Sequence, residues 1–225
     1  MAFIALTVVI IAAAGAGAYF YKHKNKSQTA SENTAVQTAP ATISSQTKKY
    51  SSPNFYLSFN YPSDWTVTDK GGGVMTVVSP PIGLTSANGQ KVTGQITLTF
   101  RNKSQPLPEF DKGNAVAALE SQKVAYAHPS QSQRASTYVS FLTYSGSTSG
   151  IDGIYITGNT GYKAAQAIPK ADFVPVDPIV NLTFAKCSDT QCTGKTMPLT
   201  ISVSTWKNPQ ISTPLTKMLE SLTIT

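Results

Sequence analysis

The stretch Phe55-Tyr-Leu-Ser-Phe-Asn-Tyr61 decides the fold class, because its apolar side chains recur at every second position. The odd positions carry Phe55, Leu57, Phe59 and Tyr61, and mostly polar residues stand between them. Successive side chains of a strand point to opposite faces, so this pattern predicts a half-buried β-strand. Pro62 follows directly and is expected to end the strand.

The same period of two recurs along the rest of the chain. Gly71-Gly72-Gly73 predicts a turn before the next apolar run. Further strands are predicted at Val74–Val78, Ile96–Arg101, Tyr138–Tyr144, Ile154–Thr157, Val180–Ala185 and Leu199–Trp206. So many short strands predict a large, mainly antiparallel sheet.

Two segments have helical patterns. Asn114–Ala127 is rich in alanine and has Asn114 as a candidate cap. Near the C-terminus, Thr213 and Pro214 suit the start of a helix, and apolar residues follow from Leu215 to Leu222 at helical spacing. The expected fold class is therefore α+β, with helices packed against the sheet.

The first 21 residues, Met1–Tyr21, contain no charged side chain, and Lys22, Lys24 and Lys26 follow. A helix rises about 1.5 Å per residue, so Ala2–Tyr21 matches the roughly 30 Å of a bilayer core. Residues 1–21 are therefore predicted to form one transmembrane anchor.

A cleaved signal peptide is the alternative interpretation of this leader. Its apolar region would be Phe3–Ile11, and Ala16-Gly17-Ala18 is similar to a cleavage site. The charged segment that normally begins a signal peptide is missing, which favours the retained anchor.

A basic collar and a linker rich in Ser, Thr and Ala, residues 22–49, separate the anchor from a domain at 50–225. Lysines after the helix would place the domain in the cytoplasm by the positive-inside rule. The stretch Ser27–Ser45 is instead typical of the flexible stalk of a surface domain. We expect the domain to be extracytoplasmic, at the cell envelope.

The net charge of +7 does not indicate a nucleic-acid-binding protein. Five lysines stand in residues 22–49, and residues 50–225 carry thirteen basic and ten acidic side chains without a dense basic run. Nucleic-acid binding requires a patch of Lys and Arg that displaces counterions, so this class of partner is excluded.

Cys187 and Cys192 are the two cysteines of the chain, and they lie between two predicted strands. A zinc site needs about four ligands, and no histidine or further cysteine stands nearby in sequence. In an extracytoplasmic domain, the pair predicts a disulfide that closes a hairpin loop. No cofactor is expected.

No motif for a reaction type survives inspection, so a non-enzymatic protein is expected. The best residue for a hydrolase would be His128, acting as a base with nearby acids. A general acid/base pair needs two carboxylates that converge on a cleft, whereas Glu109 and Asp111, two residues apart in a proline-flanked loop, are explained more simply as the lead-in to a helix. Trp65 and Trp206 could line a groove for a small ligand or a cell-wall glycan, although packing in the core explains them as well.

The segment Phe55–Trp65, in which an apolar strand runs into Tyr-Pro-x-x-Trp, resembles the opening of PsbP-like domains. That family often continues with a glycine-containing turn and a strand, as Gly71–Val78 does, and ends in a leucine-bearing helix like the one that carries Ser221-Leu222. The resemblance covers both ends of the domain and leaves Gln105–Val176 unmatched. It implies an antiparallel sandwich flanked by helices, binding of a protein partner, and no catalytic residue.

The sequence thus predicts a membrane-anchored binding or assembly module whose partner it does not name. A small-ligand or glycan-binding domain is the first alternative, and a hydrolase is the second.

Overall fold

The computed structural model describes residues 42–69, 71–102, 104–106, 115–124, 137–158, 161–172 and 178–224. The chain divides into two compact units, Met1–Val36 and Gln37–Thr225, and every described residue belongs to the second. The predicted anchor and the linker up to residue 41 lie outside the described residues. Within the described ranges, no helix combines the length and the apolar character that a membrane crossing requires.

Most of the regular structure in the described residues is β-strand. The strands are β1 Thr47–Ser52, β2 Leu57–Pro62, β3 Thr66–Asp69, β4 Val74–Val78, β5 Ile82–Thr85, β6 Lys91–Arg101, β7 Ala115–Ala117, β8 Gln122–Val124, β9 Thr137–Thr143, β10 Gly150–Ile151, β11 Gly153–Thr157, β12 Ala167–Ile168, β13 Ile179–Cys187, β14 Thr196–Pro198, β15 Ile201–Ser202 and β16 Thr223–Ile224. The α-helices of the described residues are α1 Val203–Trp206 and α2 Pro209–Glu220, and a 3-10 turn spans Lys170–Asp172.

An 11-stranded antiparallel sheet forms the body of the domain. Its main path runs β12-β7-β9-β11-β13-β6-β4-β3, while β5, β8 and β14 pair at the sides of β6, β9 and β13. The two longest strands, β6 and β13, are neighbours in register from Ile179 opposite Arg101 to Lys186 opposite Gly94. Long strands at the centre and short ones at the edges are a common protection against edge-to-edge pairing.

A second, three-stranded sheet, β1-β2-β16, packs with α2 against one face of the large sheet. The ring of Phe59 on β2 lies 4.9 Å, centroid to centroid, from the ring of Phe100 on β6. The core around this contact includes Leu57, Trp65, Met75, Leu98, Phe141, Leu182, Leu215 and Leu219. A smaller apolar cluster on β7, β9, β11 and β12 contains Ala115, Ala117, Leu142, Tyr155, Tyr162 and Ile168.

The predicted α+β class is wrong, because the described residues form a mostly-β fold with two helices. The predicted helix at Asn114–Ala127 is replaced, in its described part, by the strands β7 and β8. Ala115 and Ala117 are buried whereas Val116 between them is half-buried, so the segment alternates with the period of a strand. Tertiary pairing with β9 thus overrides the helical propensity of alanine. The expected PsbP-like sandwich flanked by helices is wrong for the same reason.

The predicted strand at Leu199–Trp206 is also wrong for most of its length. Only Ile201–Ser202 pairs as a strand, and helix α1 follows at once. Ser202 explains the change, because its side chain accepts a hydrogen bond from the backbone N–H of Thr205 at 3.1 Å and so caps a helix. The C-terminal helix is confirmed, but it begins at Pro209 and runs through Pro214.

The remaining predicted strands are confirmed within one to several residues at their ends. They correspond to β2, β4, β6, β9, β11 and β13. The turn predicted before β4 is confirmed too: Gly71, Gly72 and Gly73 have φ values of 76°, 70° and 80°, which side chains other than glycine rarely adopt.

The carboxylate of Asp69, at the end of β3, joins the large sheet to the β1–β2 hairpin. It accepts hydrogen bonds from Ser52 Oγ at 2.8 Å, Asn54 Nδ2 at 3.1 Å and the N–H of Gly71 at 3.2 Å. The hydroxyl of Tyr50 lies at 3.5 Å. Burial by itself raises the pKa of Asp69, but these hydrogen bonds together outweigh burial and hold the pKa below its ordinary value.

Replacing Asp69 by Asn should therefore lower the free energy of unfolding at pH 7 by about 1 kcal/mol, allowing for solvent screening of this partly exposed group. The pKa of the carboxyl is lower in the folded chain than in the unfolded one. Its contribution is thus complete at neutral pH and is lost as the pH falls below about 4.

Urea unfolding of the two proteins at several pH values between 7 and 3 measures this difference. The matched control is Asp64→Asn, which changes an exposed carboxylate on the preceding turn and should leave stability nearly unchanged. A constant difference between wild type and Asp69→Asn at all pH values would contradict the assignment.

Candidate functional site: the grooves beside the C-terminal helix

A groove runs along each side of helix α2. Groove A lies between α2 and the β1–β2 hairpin and has a volume of about 560 Å³. Groove B lies between α2 and the segment that joins β7 to β8 and has a volume of about 550 Å³. The walls of groove A include Ser44, Asn60, Tyr61, Pro62, Pro214 and Met218. The walls of groove B include Leu119, Glu120, Trp206, Lys207, Thr216 and Glu220.

The sequence of α2 explains why the helix separates two grooves. The side chain of Asn208 caps the helix by accepting a hydrogen bond from the N–H of Gln210 at 3.0 Å, and Pro209 suits the first position. The buried stripe consists of Ile211, Leu215, Met218 and Leu219. Thr213 and Lys217, four residues apart, stand on the exposed side and line both grooves.

Ser221 fixes the end of α2 against β2. The backbone N–H of Asn60 donates to Ser221 Oγ at 2.8 Å, and this hydroxyl donates to the carbonyl of Met218 at 2.8 Å. After Ser221 the chain enters β16, where Thr223 lies opposite Ser58 of β2. The helix and the strand that form the two walls of groove A are therefore joined at one end.

The charges of the two grooves differ. Groove B contains the cations Lys207 and Lys217 together with the carboxylates Glu120 and Glu220. Glu120 also forms an ion pair with Lys163, and both side chains are largely exposed. Among the described residues that line groove A, the one charged side chain is that of Lys217. Groove A is thus the electropositive one.

The structure joins the two predicted cysteines, Cys187 and Cys192, in a disulfide with 5.0 Å between their Cα atoms. Asp189 shapes the loop between them, because its carboxylate accepts hydrogen bonds from the backbone N–H groups of Thr193 at 3.1 Å and Gly194 at 2.7 Å. These two bonds lower the pKa of Asp189. Neither cysteine lines groove A or groove B.

The aromatic residues proposed for a binding groove are mostly buried. Trp65 is 5% exposed and belongs to the core, and Trp206 is 4% exposed. The ring of Trp206 packs 5.2 Å, centroid to centroid, from the ring of Phe141, and this buried residue lines groove B. A stacking surface for sugar rings is therefore not formed by these two tryptophans.

The residues proposed for a hydrolase, His128, Glu109 and Asp111, lie outside the described residues. Throughout the described ranges, no three His, Cys, Asp or Glu side chains are grouped so that they could hold a metal ion. The described lining of the two grooves offers hydroxyl, amide and ammonium donors beside apolar side chains.

Asn181 is an unusual buried residue on the face of the large sheet opposite the main core. Its side chain lies on β13 and is 1% exposed, and neither its Nδ2 nor its Oδ1 has a hydrogen-bond partner. Buried polar groups are normally paired. Its register neighbours across the sheet are Thr99, Thr76 and Thr68 on one side and Tyr155 and Ser140 on the other.

Comparison with known family models, with curated proteins and with solved structures finds no match for this chain. The resemblance to PsbP-like domains therefore stays a prediction. The two segments that carry it are neighbours in space, since β2 and α2 are joined through Asn60 and Ser221.

The sequence pattern did not reveal the grooves. Their walls come from residues far apart in the chain, such as Asn60 and Lys217 in groove A or Leu119 and Thr216 in groove B. The pair Asn208-Pro209 was the available signal, because an Asn cap followed by Pro marks the true start of the helix that separates the grooves.

The cysteines are expected to be oxidised in the full-length protein. Alkylation with iodoacetamide under denaturing, non-reducing conditions should label neither thiol, and the same treatment after reduction should label both. Mass spectrometry of the intact chain measures the difference. Cys192→Ser is the control, because it leaves Cys187 as a single thiol that should be labelled without reduction. Labelling of both thiols in the unreduced wild type would contradict the disulfide.

Proposed function

We propose that this chain is a non-enzymatic, membrane-anchored protein whose extracytoplasmic domain binds a protein partner at the cell envelope. The observation that carries the proposal is the pair of grooves that meet at Thr213 and Lys217 on the exposed side of α2. An open groove beside a helix is a common place for a partner polypeptide to lie.

The composition of the grooves supports a protein partner. Groove A combines the half-buried apolar side chains of Tyr61 and Pro214 with the amide of Asn60 and the ammonium group of Lys217. Protein interfaces have such a mixture of apolar centre and polar rim. The joint made by Ser221 holds the walls in place, so little ordering is needed when a partner binds.

Two features support the location at the envelope. The apolar leader, residues 1–21, has the length of a membrane helix. The paired cysteines, Cys187 and Cys192, suit an oxidising compartment outside the cytoplasm.

Photo-crosslinking from the groove tests the proposal in intact cells. Thr213 is exposed and lines both grooves. A photoreactive amino acid at this position of the tagged full-length chain should capture one envelope protein, reproducibly and in a nearly stoichiometric amount. The same group at Lys91, which is exposed and lines neither groove, is the matched control. Capture of the same proteins from both positions, or of none from Thr213, would overturn partner binding through the grooves.

A second candidate function is binding of a neutral ligand rich in hydroxyl groups, such as a cell-wall glycan. The observation that favours it is the pair Thr97 and Thr183, which are half-buried and lie opposite each other on β6 and β13. They stand on the same face as Asn181, whose buried amide has no partner among the described residues. Neutral hydroxyl and amide groups of this kind match the hydroxyls of a sugar in both donors and acceptors.

Tetra-N-acetylchitotetraose is a suitable probe for this second function. If it binds at Asn181, it should raise the melting temperature of the full-length chain in a concentration-dependent way, and Asn181→Leu should abolish the rise. The free variant should be at least as stable as wild type, because it removes an unsatisfied buried amide. If the probe does not change the melting temperature of wild type, the glycan hypothesis is rejected. A buried water would then be the partner of the Asn181 amide.

A further inference from the structure

The loop that joins β13 to β14 contains the disulfide between Cys187 and Cys192. Cys187 ends β13 and lies opposite Thr196 of β14. The next backbone hydrogen bond runs from the N–H of Ser188 to the carbonyl of Lys195, at 3.0 Å. Pairing of the backbone therefore holds the two ends of the loop side by side, and the disulfide is not needed for this.

Inside the loop, the carboxylate of Asp189 accepts hydrogen bonds from three backbone N–H groups. Its Oδ1 accepts from Gln191 at 2.9 Å and from Thr193 at 3.1 Å, and its Oδ2 accepts from Gly194 at 2.7 Å. Hydrogen bonds to an ionised acceptor are stronger than those between neutral groups. Because the donors stand before and after Cys192, the carboxylate fixes the chain on both sides of this cysteine.

The backbone of Cys192 has a conformation that needs such support. Its φ of 53° lies in the left-handed region, which residues other than glycine rarely adopt. A conformation of this kind persists only where the surrounding structure imposes it. The N–H of Cys192 donates to the backbone carbonyl of Asp189 at 3.4 Å. Asp189 thus contacts the chain before, at and after Cys192.

Gly194 allows the carboxylate to approach the chain this closely. A Cβ atom at this position would lie 2.7 Å from Oδ2 of Asp189 and would also meet Oγ of Ser188. Both are ends of side chains that can turn away. If Asp189 turned away, however, its hydrogen bond from the N–H of Gly194 would be lost.

From these contacts we infer that Asp189 folds the loop independently of the disulfide and thereby positions Cys187 and Cys192 for oxidation. Cys192 is half-buried and Cys187 is 6% exposed, so the thiolate of Cys192 reacts first with a small external disulfide such as oxidised glutathione. One glutathione leaves as its thiolate. The thiolate of Cys187 then attacks the sulfur of Cys192 and releases the second glutathione. Because the loop already holds the cysteines together, this closing step requires little further ordering.

Equilibration of the reduced full-length chain with glutathione buffers tests the inference. Acid quenching, alkylation and mass spectrometry give the oxidised fraction, and from it the effective concentration of one thiol at the other. Asp189→Ala should lower this effective concentration about tenfold, because it removes all three hydrogen bonds of the carboxylate. Gly194→Ala should lower it as well.

The matched control is Gln191→Ala, which removes an exposed side chain of the same loop but keeps the N–H that donates to Asp189. It should retain the effective concentration of wild type. Equal effective concentrations in wild type and Asp189→Ala, or equal losses in Asp189→Ala and the control, would overturn the inference.

Nuclear magnetic resonance of reduced wild type tests the same inference without a change at Asp189. In a chain whose glycines carry isotopic nitrogen, the amide signal of Gly194 is identified by its disappearance in Gly194→Ala. This signal should keep nearly the same chemical shift in the reduced and the oxidised protein, because its acceptor is the carboxylate in both. Movement of the signal to the position typical of an unfolded chain on reduction would show that the disulfide folds the loop, and would overturn the inference.

Discussion

The packing of Phe59 against Phe100 is the contact on which the arrangement of the domain depends. Both rings are 1% exposed, and they join the three-stranded sheet to the centre of the large sheet. Aromatic pairs of this kind add about 0.5–1.5 kcal/mol to the stabilisation from buried area. Because α2 packs into the same core through Leu215, the contact also sets the place of the helix and therefore the shape of both grooves.

Three carboxylates have the same structural use in this weakly charged domain. Asp69 holds a turn beside the β1–β2 hairpin, and Asp189 holds the loop that the disulfide closes. Asp152 accepts a hydrogen bond from the N–H of Tyr144 at 2.8 Å and another from the hydroxyl of Thr200. These carboxylates accept hydrogen bonds from backbone and hydroxyl donors, and each of them holds a turn or a loop in place.

The spacing of apolar residues predicted an element correctly where the conformation that it favours agrees with the packing of the folded domain. The alternation in Phe55–Tyr61 and the helical spacing of Leu215–Leu222 both place apolar side chains on one face, and both elements exist. The pattern failed at Asn114–Ala127, where small alanines allow close packing beside β9 and the sheet decides the conformation. It could not predict groove A, because Asn60 and Lys217 come together only through the docking of α2 beside β2.

The position of β1 at the edge of its sheet has a mechanical consequence. Among the described strands of that sheet, β1 pairs with β2 alone, and Ile43 just before it is buried in the core at 5% exposed. A pull on the chain ahead of Ile43 would first extract Ile43 and then separate the residue pairs of β1 and β2 one at a time, starting with Thr47 opposite Pro62. These residues also belong to the wall of groove A or adjoin it, so tension would deform the groove while the large sheet remained unstretched. Force on the chain ahead of β1 and the shape of groove A are thereby coupled through a single edge strand.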